Sequence, residues 1–94
     1  MLGVEGLMKS AEEKYEYCLG ITEKALAELK VLKEKEAGVL LKWVEDYKKD
    51  AEYYFRKGDY ATALEAIAYA HGFIDSAVLL GLVEIKDYHL NKQI

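Results

Sequence analysis

Hydrophobic and polar positions alternate with a helical period along most of this chain. Met8, Ala11, Tyr15, Cys18, Thr22, Ala25, Leu29 and Leu32 recur in steps of three and four. Glu12, Glu13, Lys14, Glu16, Glu23, Lys24, Glu28 and Lys30 lie between them. Such heptad spacing predicts a helix with one apolar seam, over about residues 5–35. Gly38 is the only breaker in the stretch that follows, so a connection is expected over Lys33–Gly38. A second helix is predicted over 39–57. Leu40, Val44, Tyr47, Ala51 and Tyr54 form its core stripe, with Trp43 and Phe55 on the flanks.

The pattern then becomes more apolar and richer in small residues. Residues 58–83 read GDYATALEAIAYAHGFIDSAVLLGLV. Asp59 is placed to cap a helix N-terminus, and Gly58 suits the turn before it. A third helix is predicted over 59–81. Tyr60, Leu64, Ile67, His71, Ile74, Val78 and Gly81 share one stripe, with Thr62, Glu65, Tyr69, Phe73, Ser76 and Leu80 opposite. Alanines fill much of the remainder and let neighbouring helices approach on both sides, so this helix is expected to be the most enclosed. Leu82-Val83-Glu84-Ile85 alternates instead, and a tail over 82–94 is expected to be extended. Leu82 or Val83 would dock its start, and its end would be disordered. The fold class is all-α: one domain over 1–94, a three-helix up-down-up bundle with an extended C-terminal tail.

Composition narrows the function classes. The chain has 94 residues, enough for one core. A net charge of −4 without a basic stripe argues against nucleic acid. The apolar run Ala66 to Val83 reaches only the lower limit for a membrane span and carries His71 and Asp75, so no membrane role is expected. One cysteine, Cys18, gives no internal disulfide and no metal-ligand spacing. The N-terminal apolar segment is too short for a signal peptide, and a cytoplasmic location is expected. Glu and Lys abound, while Asn91 and Gln93 are alone of their kinds, a bias of heat-adapted proteins.

Tyr47, Asp50-Ala51, Phe55, Gly58-Asp59, Ala63, Tyr69-Ala70, Gly72, Asp75 and Leu80-Gly81 carry a family likeness, with Ala70 to Asp75 its most specific piece. On these residues the chain, from about Trp43 to Val83, resembles the archaeal "domain of unknown function 357" proteins. The resemblance implies a short all-helical protein with an up-and-down three-helix bundle, and it brings no catalytic residues. GDYATALEAIAYA also resembles the start of a tetratricopeptide helix pair. That unit recurs every ~34 residues, and no second copy is visible.

Two sets of residues are candidates for function. His71 and Asp75 lie four apart on the third helix. An antiparallel second helix would bring Tyr47 near His71 and place Asp50 about a turn away, with Tyr54 further along. This Asp50/His71/Asp75/Tyr47/Tyr54 cluster suits a satisfied polar network that fixes helix register. The rival is a small ligand-binding or hydrolytic site, although no nucleophile stands beside a base and no phosphate loop is present. Two ligands, His71 and Asp75, are too few for a metal, so neither metal nor cofactor is expected. The second set is Tyr69, Phe73 and Leu80, large groups facing away from the core stripe. They suggest a surface for a protein partner or for self-association into a homodimer; the alternative is that the tail or the long first helix covers them. The sequence therefore favours a non-catalytic helical interaction module.

Overall fold

A computed structural model describes residues 10–90. Those residues form helices α1 (Ala11–Glu28), α2 (Glu34–Arg56) and α3 (Tyr60–Leu79), and the short strands β1 (Lys30–Val31) and β2 (Val83–Glu84). α1 and α3 both lead into the strands, and α2 returns from them, which gives the up-down-up order. α3 packs against both α1 and α2.

The ends of the helices follow from their capping residues. Ser10 has an extended backbone, and its Oγ accepts from the Glu13 amide at 3.1 Å. The hydroxyl in turn donates to the Glu13 carboxylate at 3.1 Å. Ser10 is thus the N-cap, and it starts α1 at Ala11. A helix start near residue 5 lies outside the described residues.

α1 stops at Glu28, not near residue 35. Lys30–Val31 instead pairs antiparallel with Val83–Glu84, Lys30 facing Glu84 and Val31 facing Val83. The Leu32 and Lys33 amides add bonds to the Leu82 carbonyl at 2.9 and 3.1 Å. A two-strand ladder thus takes the place of the last predicted turns, and Leu32 is exposed instead of lying on the seam. α2 begins five residues before the predicted 39, and Gly38 lies inside it. Glu34 and Glu36 suit the positive end of its dipole, and Ala37 is already fully buried.

The α2–α3 turn agrees with the sequence. Gly58 has φ +81°. Its amide bonds the Phe55 carbonyl at 3.0 Å, and the Asp59 amide bonds that of Tyr54 at 3.0 Å. This is a Schellman ending, which needs the left-handed residue that glycine supplies. Asp59 then accepts from the Thr62 amide at 3.2 Å and caps α3. The same device closes α3 at Gly81, whose φ is +71°.

α3 is the most enclosed helix, but its buried stripe is rotated from the predicted one. Ala63, Ala66, Ile67, Ala70, Ile74, Ala77 and Val78 are buried, whereas Tyr60, Leu64 and His71 are only half-buried. The alanines face the neighbours because they let two helices close in. Val44 and Ala51 of α2 and Tyr15, Thr22 and Ala25 of α1 complete the helical core. Leu82, Val83 and Ile85 close the ribbon end. At the other end Tyr15 stacks on Phe55 at 4.5 Å, and Phe55 meets Tyr60 at 5.0 Å. Ala70 has no room for a larger group. Ala70→Leu should lower stability by about 1–3 kcal/mol in urea denaturation, while Ala27→Leu on the exposed side of α1 should leave it within about 0.5 kcal/mol.

Candidate functional site

His71 and Asp75 do come together, one turn apart on the flank of α3 that faces α1 and the tail. His71 Nδ1 is 3.8 Å from Asp75 Oδ1, too long for a hydrogen bond. The hydrogen-bond donor to Asp75 is Tyr88, whose hydroxyl lies 2.6 Å from Oδ1. His89 Nε2 approaches the same oxygen at 3.7 Å. His71 Nδ1 is buried and has no hydrogen-bond partner among the described residues. The segment after β2 therefore returns to α3 and is pinned there through residue 90. Its expected disordered end lies in 91–94, outside the described residues.

The other predicted members of this cluster are elsewhere. Asp50 is exposed, and its side chain makes no hydrogen bond or ion pair among the described residues. Tyr47 lies on the opposite flank of α3, stacked on Tyr69 at 5.4 Å and on Phe73 at 5.7 Å. Tyr54 meets the edge of Tyr53 at 5.2 Å. The antiparallel register is near the expected one, but its azimuth differs: Trp43 and Tyr47 of α2 meet Phe73 and Tyr69, and His71 lies beside Tyr88 and His89 instead. Tyr88 and His89 were missed because a tail without helical period carries no signal of where it docks.

Burial, then the hydrogen bond to Asp75 and its charge, push the Tyr88 hydroxyl well above the usual tyrosine range. Tyr88 is a poor acid at neutral pH and acts as a fixed donor. Burial likewise raises the Cys18 thiol; the Thr22 hydroxyl lowers it in part, and Asp75 raises it further. Cys18 is thus a weakly nucleophilic group in the α1 seam. A cleft of about 460 Å³ opens beside the cluster, lined in part by Tyr17, Lys24, His71, Lys86, Tyr88 and His89. Among the described residues, no group of three or more His, Cys, Asp or Glu is arranged to hold a metal ion.

The second candidate set divides. Phe73 is half-buried, with its ring 6.2 Å from Trp43 and stacked on it. The seam of Trp43, Tyr47, Tyr69 and Phe73 joins α2 to α3 within the chain, so Phe73 does not face solvent freely as expected. Tyr69 and Leu80 are 61% and 66% exposed, as a partner surface requires. Between this seam and the tail, one face of α3 is open. Ala61, Glu65, Ala68, Tyr69, Gly72, Ser76, Leu79 and Leu80 are exposed there, and Glu65 is its only charge. A shallow groove of about 720 Å³ runs along it, with Ala68, Gly72 and Ser76 as floor and Tyr69 and Phe73 as wall. Sequence spacing had located this face but not its floor, because small residues were read as helix contacts within the chain.

A family model described as "Protein of unknown function (DUF357)" matches residues 17–83, more than two thirds of the chain. No curated protein and no solved structure matches. The matched span holds α2, α3 and most of α1, and it ends before Tyr88 and His89. No helix among the described residues is long and apolar enough to cross a membrane.

Tyr88 gives this site a measurable signature. Tyr88→Phe should cost about 1.5–3 kcal/mol at neutral pH, because a hydrogen bond to a carboxylate is lost. The neutral hydroxyl is favoured in the fold, so its contribution is complete below the ordinary tyrosine pKa of about 10 and falls as pH rises through the higher folded value. Urea melts at about pH 8 and about pH 10.5 should show the parent losing more stability with pH than the variant.

Proposed function

The chain belongs to the DUF357 family, and from its geometry we propose that it is a non-catalytic interaction module that binds an apolar helical partner on the open face of α3. The observation that carries this reading is the groove along the exposed face of α3, walled by Tyr69 and Phe73. Trp43, Tyr69, Leu79 and Leu80 are each about half or more exposed, and all lie on or beside the α3 face. Scattered exposed apolar residues are ordinary, but exposed apolar groups beside a groove with aromatic walls support a binding surface. Groove shape adds to this: a floor of Ala68, Gly72 and Ser76 admits another helix closely, and the rings beside it offer rigid contact area.

The proposal places the protein in the cytoplasm of a heat-adapted archaeon. A single half-buried thiol and the Glu- and Lys-rich composition support that setting. A second reading, a small polar ligand in the cleft beside His71, is favoured by the buried and unbonded Nδ1.

Photo-crosslinking separates the two. A benzophenone side chain in place of Tyr69, in cells that naturally make the protein, should give covalent protein adducts. The same side chain in place of Tyr17, at the His71 cleft, should give none. Adducts at position 17 with none at 69 would refute the interaction surface.

A further inference from the structure

We infer that the cleft between α1 and the tail takes a small organic anion, its charged head held by His71 and Lys24 and its apolar body resting on Ile21 and Tyr17; this rests on the cleft reading above and is independent of the α3 face. The first observation is the setting of His71. Its Nδ1 is buried without a hydrogen bond, 3.8 Å from an Asp75 oxygen that already accepts from Tyr88. At that distance a carboxylate attracts a proton on Nδ1 and repels a lone pair, so Nδ1 carries the proton of the neutral ring. His71 also lines the cleft, and its side chain keeps 13% exposure. With Nδ1 covered, the accessible part of the ring is the opposite edge, which carries the Nε2 lone pair. A proton added there from solvent makes an imidazolium with Asp75 behind it and the cleft in front.

The second observation is the uneven charge along the cleft. Tyr17, Ile21, Lys24 and Glu28 share one face of α1 and line it in that order. Glu28 and Asp87 are its two carboxylates, and both also line a neighbouring cavity at the ribbon end, beside Lys30, Glu84 and Lys86. Tyr17, Lys24, His71 and His89 do not line that neighbour. The acids therefore stand at one mouth, and the other end carries an ammonium group and two imidazoles. Lys24 makes no ion pair among the described residues. An anion at this end meets a fixed cation at Lys24 and supplies the charge that holds a second one at His71.

The lining also selects an organic anion over a bare one. Ile21 is half-buried, Ala25 and Ile85 are buried, and the ring of Tyr17 is 66% exposed beside them. A cleft of about 460 Å³ with that apolar surface has room for a flat or branched body behind the charged head. An inorganic ion would leave this surface in contact with water. A neutral ligand of the same shape would cover it but would not hold the proton on His71. Binding thus couples one anion to one proton, taken up at Nε2.

Nuclear magnetic resonance on the full chain tests this, with benzoate as the probe and benzamide as its neutral counterpart. The pH is held at about 7.5, a unit above the ordinary histidine pKa of about 6.5. Benzoate should shift the amides of Ile21 and Lys24 and move the His71 ring nitrogens toward imidazolium values. Benzamide should do neither. His71→Gln should weaken benzoate at least about tenfold, the loss of one charge-assisted hydrogen bond. Lys49→Gln, at an exposed position of α2, should leave the affinity unchanged. If His71→Gln fails to fold, Lys24→Gln on the exposed side of α1 serves in its place. Benzamide that shifts the cleft amides as far as benzoate overturns the anion and leaves the cleft to a neutral ligand. Benzoate bound with the His71 ring unchanged overturns the coupled proton. No shift at the cleft with either probe overturns the anion and the cleft reading together.

Discussion

Close approach at the buried alanines of α3 is the contact on which the rest of this bundle depends. Ala63, Ala70 and Ala77 are fully buried and recur every seventh residue, with Ala66 beside them. Side chains this small cannot fill a core. They let the neighbours bring larger groups to them, Val44 from α2 and Tyr15 from α1. Packing of α1 against α2 is slight by comparison, carried by the Tyr15–Phe55 stack and a Lys48–Glu23 ion pair at 3.3 Å. That pair is partly exposed and adds little. Helix packing here is a hub with two spokes, and burial against α3 stabilises both.

The turns transmit this arrangement with few residues. Asp59 ends α2 through its amide and starts α3 through its carboxylate, so the two helices are joined with almost no slack. A short connection forces antiparallel neighbours and sets the Trp43–Phe73 and Tyr47–Tyr69 pairs. At the other end the β1–β2 ladder ties the exit of α1 to the exit of α3. Leu82, Val83 and Ile85 are thereby directed into the core, and Tyr88 reaches back to Asp75.

The sequence made the helices legible because their periods are local. Asp59, Gly58 and Gly81 act within a few residues, and the structure uses each as its chemistry suggests. Partner choice is not local. Lys30 and Val31 continue the heptads of α1, yet their backbone groups bond better to a strand that arrives fifty residues later. His71 and Asp75 were visible as misplaced polar groups, but the azimuth of α2 decides which tyrosine meets them. A rotation of α3 by a fraction of a turn presents Tyr69 and Phe73 to Tyr47 and leaves the cluster to Tyr88. That rotation follows from alanines, whose inward or outward direction no hydropathy pattern resolves: Ala66 is buried and Ala68 exposed.

The same rotation determines what α3 can offer outside the chain. One flank is occupied by aromatic rings and the other by a polar latch of Asp75, Tyr88, His71 and His89. Burying that latch under a partner would strip water from a carboxylate and two imidazoles, a cost that apolar contact there would have to offset. The face between them carries no such penalty, apart from Glu65 at one end. The open face of α3 is thus bounded by aromatic groups on one side and polar groups on the other.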